Sequence, residues 1–453
     1  MAREQSIGRP TDGRIVWRGE RGYEDARRGD MWNRRVPSRY PEAIAQPRTA
    51  DDVVAAVRLA RQRGLKIAIR SGGHSWAATF LRDGGMLIDL AAMKSFSIDA
   101  DARIATIQPG LRGTDLNRAL RQHGLFFPTG HCRTVGLGGF LLQGGFGWNS
   151  RLWGPACVSI RGMEIVNADG ELVHASDQEN AELFWAARGA GPGFFGVVTK
   201  FELMLYLRPK VMMNSAYLYP IAVLDDVLGW ARSIQPSLAR TMEAMVFVRR
   251  DIMGHAGPGA LVMGPVMADS QDDAIAALAH LETCPAVGRA LVRDVNVVTE
   301  FDDLIDKGED LLYPPRRRYA ADNMWTSVSA EQLLPGMRKI AASLPSPPSH
   351  MMWMLWGPPQ KLPDMAFSLQ DDLYIALYSV WDNEADDALH QAWVTDNMHN
   401  LEPLASGIQL ADENLAARPF RFLAPANFSR LQSLRTKYDP TGLFHSYMGV
   451  PPS

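Results

Sequence analysis

Residues Thr129–Gly147 read TGHCRTVGLGGFLLQGGFG, with seven glycines in nineteen positions. Glycine lets a backbone approach a ligand closely and offers unhindered amide donors to phosphate. The spacing is not that of a dinucleotide fingerprint, because Gly136 and Gly138 are followed by Leu141 where a third glycine belongs. A true G-x-G-x-x-G occurs at Gly191, Gly193 and Gly196. It follows a helical pattern and precedes a strand, the reverse of the required context. Neither run is a Rossmann fingerprint. Tight turns between packed strands account for this composition as well as a ligand loop does.

Working outward, a second loop of small residues, Arg70-Ser71-Gly72-Gly73-His74-Ser75, follows the short strand pattern KIAIR. Before it, Thr49 to Gly64 predicts a helix, capped at Thr49 or Asp51, apolar at Val53, Val54, Val57 and Ala60, and ended by Gly64. After it come the strand GMLIDL and a hairpin turning at Asp99-Ala100-Asp101. A helix from Leu111 to His123 completes an α+β pattern over residues 40–130. Downstream, IRGMEIVNADGELVHA predicts a hairpin at Asp169-Gly170. A helix, a Gly/Pro turn and a strand lead to a boundary near Pro209. Residues 1–40 read as an irregular, Arg-rich lead-in.

From 210 to about 420 the character changes. Strand-like NSAYLYPIAV, AMVFVRR, ALVMGPVM and DLYIALYSVW alternate with amphipathic DDAIAALAHLET, AEQLLPGMRKIAASL and ADDALHQAWVTDNMHNL. This predicts an antiparallel sheet backed by helices, carrying Trp325, Trp353, Trp356, Tyr374, Tyr378 and Trp381 on its strands. Such a stripe is ordinary core; equally, the uncovered face of a sheet can line a cavity for a flat organic substrate.

The whole chain has 453 residues, 46% of them hydrophobic and 21% charged, and a net charge of -3. That is enough for two or three globular domains and excludes a disordered or fibrous chain. No basic excess favours nucleic acid or an anionic membrane. No run of 18 apolar residues appears. The three cysteines, Cys132, Cys157 and Cys284, argue against a disulfide framework and for a reducing, cytoplasmic setting. His123, His131 and Cys132 lack metal-ligand spacing, and H-E-x-x-H is absent, so no metal site is expected. His74 and Cys132 each sit in a glycine-rich loop. A buried, hydrogen-bonded histidine and a buried thiol are the plain readings of the two.

Taken in order, RSGGHS, DGGMLIDL, GHCRTVGLGG, QGGFGWNSRLWG, FWAARGAGPGFFGVVTKFEL and KYDPTGLF resemble the berberine-bridge-enzyme-like branch of the vanillyl-alcohol-oxidase/p-cresol-methylhydroxylase flavoproteins. The resemblance implies a two-subdomain, α+β FAD-binding domain at 38–208 and a substrate domain with an antiparallel sheet at 209–420. It also implies a segment at 421–453 that returns to the FAD domain. In that family the histidine and the cysteine of the two loops attach to FAD, which here implicates His74 and Cys132, 58 residues apart. Arg70, Ser71, Gly72, Gly73 and Ser75 would face the pyrophosphate as an amide nest. Thr134, Val135, Gly136, Gly138, Gly139, Gly144, Gly145 and Gly147 would pass close to the cofactor. Val197 and Val198 would lie near the adenine end, and Gly196 is a further expected cofactor contact.

The implied reaction is oxidation of a C–H bond, with hydride passing to flavin and oxygen reduced to hydrogen peroxide. Val135, three residues after the cysteine, stands at the family's oxygen-gating position. The substrate half departs from the family. Where relatives carry Tyr-x-Asn, this chain has Gly407 and Gln409, if Asp412 holds the family's Asp; Leu369 replaces a histidine. Tyr447 is the first candidate for the base and also for packing on the flavin; Gln409 and His445 are weaker candidates. Trp353, Trp356 and Tyr378 are the expected substrate contacts. The expectation is an FAD-linked oxidase of a secondary metabolite, aromatic alcohol or amine, with oxygen as partner. A carbohydrate oxidase, a dehydrogenase with another acceptor and a non-catalytic, ligand-sequestering flavoprotein are the alternatives.

Overall fold

The computed structural model describes residues 13–450. Over its described part the N-terminal stretch is not irregular. β1 (Arg14–Trp17) pairs antiparallel with β2 (Ala43–Gln46), and α1 (Tyr23–Arg28) packs beside both. A four-residue strand shows too little period to be seen in sequence; residues 1–12 lie outside the described part. α2 (Ala50–Gln62) starts in a capping box. The Thr49 hydroxyl accepts from the Asp52 N–H, and the Asp52 carboxylate accepts from the Thr49 N–H. β3 (Ile67–Arg70) and β4 (Met86–Asp89) complete a four-stranded sheet ordered β1-β2-β4-β3, parallel at its last two pairings.

β5 (Phe96–Asp99) and β6 (Ile104–Ile107) form the expected hairpin, where the Asp99 carboxylate accepts from the Ala102 N–H. α3 (Gly113–Arg121) leads to β7 (Leu125–Phe126) and then to the glycine-rich run, which contains α4 (Leu137–Leu142). After α5 (Ser150–Trp153), β8 (Ile160–Val166) and β9 (Leu172–Ser176) make the second hairpin, with Gly170 at φ 72° in its turn. α6 (Ala181–Ala187) and β10 (Val197–Met204) close a five-stranded sheet ordered β5-β6-β10-β8-β9. β11 (Tyr206–Leu207) pairs with β7. α2 packs between the two sheets, touching β4, β8 and β10.

The second half is one antiparallel sheet of seven strands. In chain order its elements are β12 (Val211–Pro220), α7 (Leu224–Ile234), β13 (Met245–Ile252), β14 (His255–Ala268), α8 (Gln271–Leu278), β15 (Val292–Val298), α9 (Phe301–Leu312), β16 (Arg318–Thr326), α10 (Ala330–Ala342), β17 (His350–Leu355), β18 (Leu373–Trp381) and α11 (Asp387–Leu401). The spatial order is β15-β12-β14-β13-β17-β18-β16. Alternation along the strands sorts the side chains. Val246, Val248, Met351, Trp353, Ile375 and Leu377 meet the helices. Met245, Phe247, Met352, Met354, Tyr374 and Tyr378 gather on the opposite face. α12 (Pro425–Tyr438) then leads the chain back to the first half, where Ile67 donates to Leu443 O and His445 donates to Ile67 O at 2.7 and 2.8 Å. The result is an α+β architecture, as the sequence implies.

Candidate active site

A cavity of about 370 Å³ lies between the two halves. Its floor is the pair of glycine loops. The backbones of Gly72 and Gly136 touch, so a Cβ added to Gly72 would stand 2.5 Å from the Gly136 nitrogen. A Cβ on Gly138 would strike the Ser71 hydroxyl. Gly139 differs: a Cβ there would meet nothing within 4 Å, and the residue lines the cavity. The glycines thus pack the two loops together and leave open space at Gly139, beside the amides of residues 71–75, which among the described residues donate to no backbone carbonyl and suit an anionic ligand.

His74 stands at the edge of this floor. Its Nε2 lies 2.7 Å from the Thr134 hydroxyl and its ring stacks on Trp32, with centroids 5.0 Å apart. Burial lowers its pKa to about 3, with Arg112 adding to the effect, so the ring is neutral and keeps a lone pair for chemistry. Cys132 lines the same cavity among Trp32, Trp76 and Phe146, and burial raises its pKa. Val135, Ser75, Gly196 and Val198 also line it.

The roof is mainly apolar. Met245, Phe247, Met263, Met352, Met354 and Trp325 form most of it. Among them Asp412 presents a carboxylate whose Oδ2 accepts from the Tyr374 and Tyr378 hydroxyls at 2.5 and 2.8 Å. The Trp76 side chain is a third donor. Burial raises the Asp412 pKa despite these hydrogen bonds. Tyr378 extends the network to Tyr313, whose hydroxyl lies 3.5 Å from His350 Nε2. His350 Nδ1 lies 2.9 Å from the Pro348 carbonyl, which requires the proton on Nδ1 and leaves Nε2 an acceptor.

Several expected site residues stand elsewhere. Tyr447 is buried away from the cavity lining, and its hydroxyl donates to Ala190 O at 2.7 Å while its ring packs on Phe422. A phenol committed to a buried carbonyl is not free to serve as a base. Trp353 points the other way from its neighbours Met352 and Met354, into the helix-backed core. Trp356 sits behind Phe146, donating to Gln370. Of the three expected substrate contacts, Tyr378 alone lines the cavity. Arg70 aims its guanidinium away from the floor, at Asp89 and the carbonyls of Ala26 and Arg27. Gly144, at φ 105°, packs on Phe367, and a Cβ on Gly147 would strike the backbone of Thr129; both shape turns. Gln409 reaches the cavity, but its amide oxygen caps the Ala411 and Asp412 N–H groups. His445 also lines the cavity. Cys157 and Cys284 are buried and unpaired.

Residues 41–176 match the family described as FAD binding domain, and residues 410–451 that described as berberine and berberine like. An FAD-linked oxidoreductase of Penicillium ochrochloron, ptmO, is 34% identical over 433 residues, 95% of each chain. The chain belongs to the berberine-like FAD-linked oxidoreductases. A solved structure of 6-hydroxy-D-nicotine oxidase from Arthrobacter nicotinovorans superposes with a TM-score of 0.85 at 25% identity, covering 99% of this chain and 100% of that one. Xylooligosaccharide oxidase of Thermothelomyces thermophilus is 41% identical over 203 residues, 44% of this chain and 40% of that protein.

The floor of this oxidoreductase fits FAD, because among the described residues the amides of residues 71–75 donate to no backbone carbonyl, Gly139 leaves open space beside them, and the cavity continues beneath the roof. Sequence reasoning touched Asp412 merely as an alignment anchor. Tyr313 and His350 escaped it, lying in segments with no strand or helix pattern recognised. The usable signal was the spacing of Tyr374 and Tyr378. With Ala376 between them, the i, i+2, i+4 rule puts both hydroxyls on one face.

Proposed function

We propose that this oxidoreductase is an oxidase of apolar small organic molecules, with FAD held through His74 and Cys132 and with Asp412 as proton acceptor. The observation that carries this is a buried carboxylate, held by two tyrosines and a tryptophan, in a mainly apolar roof facing the glycine floor. When bound, FAD supplies the hydride acceptor and returns electrons to dioxygen, giving hydrogen peroxide. The chain does the rest. The methionines and aromatic rings of the roof bind the substrate and exclude water. The substrate O–H or N–H proton passes to the Tyr378 oxygen as the tyrosine's own proton moves to Asp412 Oδ2. Burial raises the Asp412 pKa, which makes it a stronger proton acceptor than an ordinary carboxylate. Val135 lines the cavity where the family gates oxygen.

A carbohydrate substrate draws support from the similarity to xylooligosaccharide oxidase. The roof weighs against it, since a sugar needs several free hydrogen-bonding side chains, whereas the Tyr374 and Tyr378 hydroxyls are committed to Asp412 and most of their strand neighbours are methionine and phenylalanine. The test is anaerobic mixing of the holoprotein with apolar aromatic alcohols, apolar amines and oligosaccharides. The expected result is flavin bleaching by an alcohol or amine, then reoxidation in air with peroxide released. Bleaching by oligosaccharides alone, or a reduced flavin that persists in air, would overturn the proposal.

A further inference from the structure

The two loops that bear His74 and Cys132 are secured by unrelated means. At His74 the device is aromatic. Trp32 lies flat between the His74 ring and the Tyr319 ring, at 5.0 and 4.2 Å with interplanar angles of 21° and 24°. Its backbone N–H donates to Gly73 O at 3.2 Å, so both its main chain and its ring hold the loop. Tyr319 comes from β16 of the seven-stranded sheet. The Thr134 hydroxyl at Nε2 fixes the remaining rotation of the imidazole.

At Cys132 the device is a carboxylate. Glu243, just before β13 and 2% exposed, accepts from the Asn149 N–H and stands 3.1 Å from His131 Nε2. His131 also packs on Trp148, with centroids 4.4 Å apart. On the other side of the cysteine, Arg133 pairs with Asp306 of α9. Among the described residues the Glu243 carboxylate hydrogen-bonds to this loop and to Asn149, with the Arg151 charge nearby and no bond to the Asp412 network. Its geometry serves the loop.

We infer that Trp32 and Glu243 are positioning residues, each for one flavin attachment: Trp32 for the link at His74 and Glu243 for the link at Cys132. This rests on the reading that both links form. Each link exchanges a flavin C–H and a residue N–H or S–H for a C–N or C–S bond. The two protons and two electrons released pass to dioxygen, which becomes hydrogen peroxide. Bond formation of this kind depends steeply on placement, with misplacement by about 1 Å costing on the order of a hundredfold in rate.

The test crosses two variants with two backgrounds and reads the fraction of bound flavin that stays with acid-precipitated protein. In Cys132→Ala, where the His74 link alone remains, adding Trp32→Ala should cut that fraction on the order of tenfold, while Glu243→Gln leaves it within about twofold. In His74→Ala the pattern should reverse. Trp32→Phe, which keeps a flat ring, should restore most of the loss, and Glu243→Gln keeps the volume of the buried side chain. Equal loss of both links with either variant, or loss with neither, overturns the inference. Colourless pellets from the two parent backgrounds would instead overturn the attachment reading, and the inference with it.

Discussion

The two walls of the cavity present different chemistry. The floor is main chain: the loops at 71–75 and 130–139, packed together at Gly72 and Gly136 and left open at Gly139. The roof is side chain: methionines, aromatic rings and the one carboxylate of Asp412, delivered by β13, β14, β16, β17, β18 and the segment after α11. A main-chain wall recognises what all ligands of one class share, such as a diphosphate. A side-chain wall can be rewritten residue by residue, so it carries specificity and acid–base work. His74 and Cys132 are the floor's candidate attachment side chains. Substitutions that respect or violate this division sharpen or break it.

The largest effect is expected from His74→Ala combined with Cys132→Ala. All flavin should leave the acid-precipitated pellet, whereas either single variant should remain yellow; a visible spectrum of the pellet checks this. Next, Gly139→Val would place a branched side chain where the cradle is now open. Flavin occupancy should fall on the order of tenfold or more, without loss of the folded near-ultraviolet circular dichroism signal. An unchanged occupancy would mean that the floor is not the cofactor wall.

Glu413, beside Asp412 but turned away toward the Leu415 N–H, should shape stability without touching turnover. Burial pushes its pKa up from 4.5 to about 7. Between these values the folded chain holds a proton that the unfolded chain has lost, so stability should fall as pH rises through that window. In denaturant titrations from pH 4.5 to 7 the stability of the wild type relative to Glu413→Gln should show that decline. The smallest effect is expected from Tyr447→Phe. It removes one of two hydrogen bonds to the Ala190 carbonyl, which still accepts from the Gly193 N–H, at a cost of about 0.5–1.5 kcal/mol in denaturant unfolding. The rate of flavin reduction should stay within about twofold.

The same division explains what could be read from sequence. The floor lies in two short contiguous runs, so RSGGHS and GHCRTVGLGG carry it entire. Elements with strong local signals were also legible: the Thr49 capping box and the hairpins at Asp99 and Asp169-Gly170. The roof was not. It joins residues more than 160 positions apart, and the parity of each strand decides which side chains face in. Trp353 and Met352 are neighbours with opposite fates. Tyr447 misled because the returning tail does reach the first half, yet its phenol ends on Ala190. Where relatives place a tyrosine, this chain has Gly407, packed on Leu369, and the tyrosines come instead from β18.

The most direct test of Asp412 as proton acceptor is the rate of anaerobic flavin reduction in Asp412→Asn, using a compound that bleaches the wild type, across a range of pH. In the wild type the rate should rise with pH through the raised pKa of Asp412, because the deprotonated form accepts. In Asp412→Asn it should drop by about a hundredfold or more and lose that acidic limb, with flavin content unchanged. A wild-type rate and pH profile in Asp412→Asn would contradict the assignment.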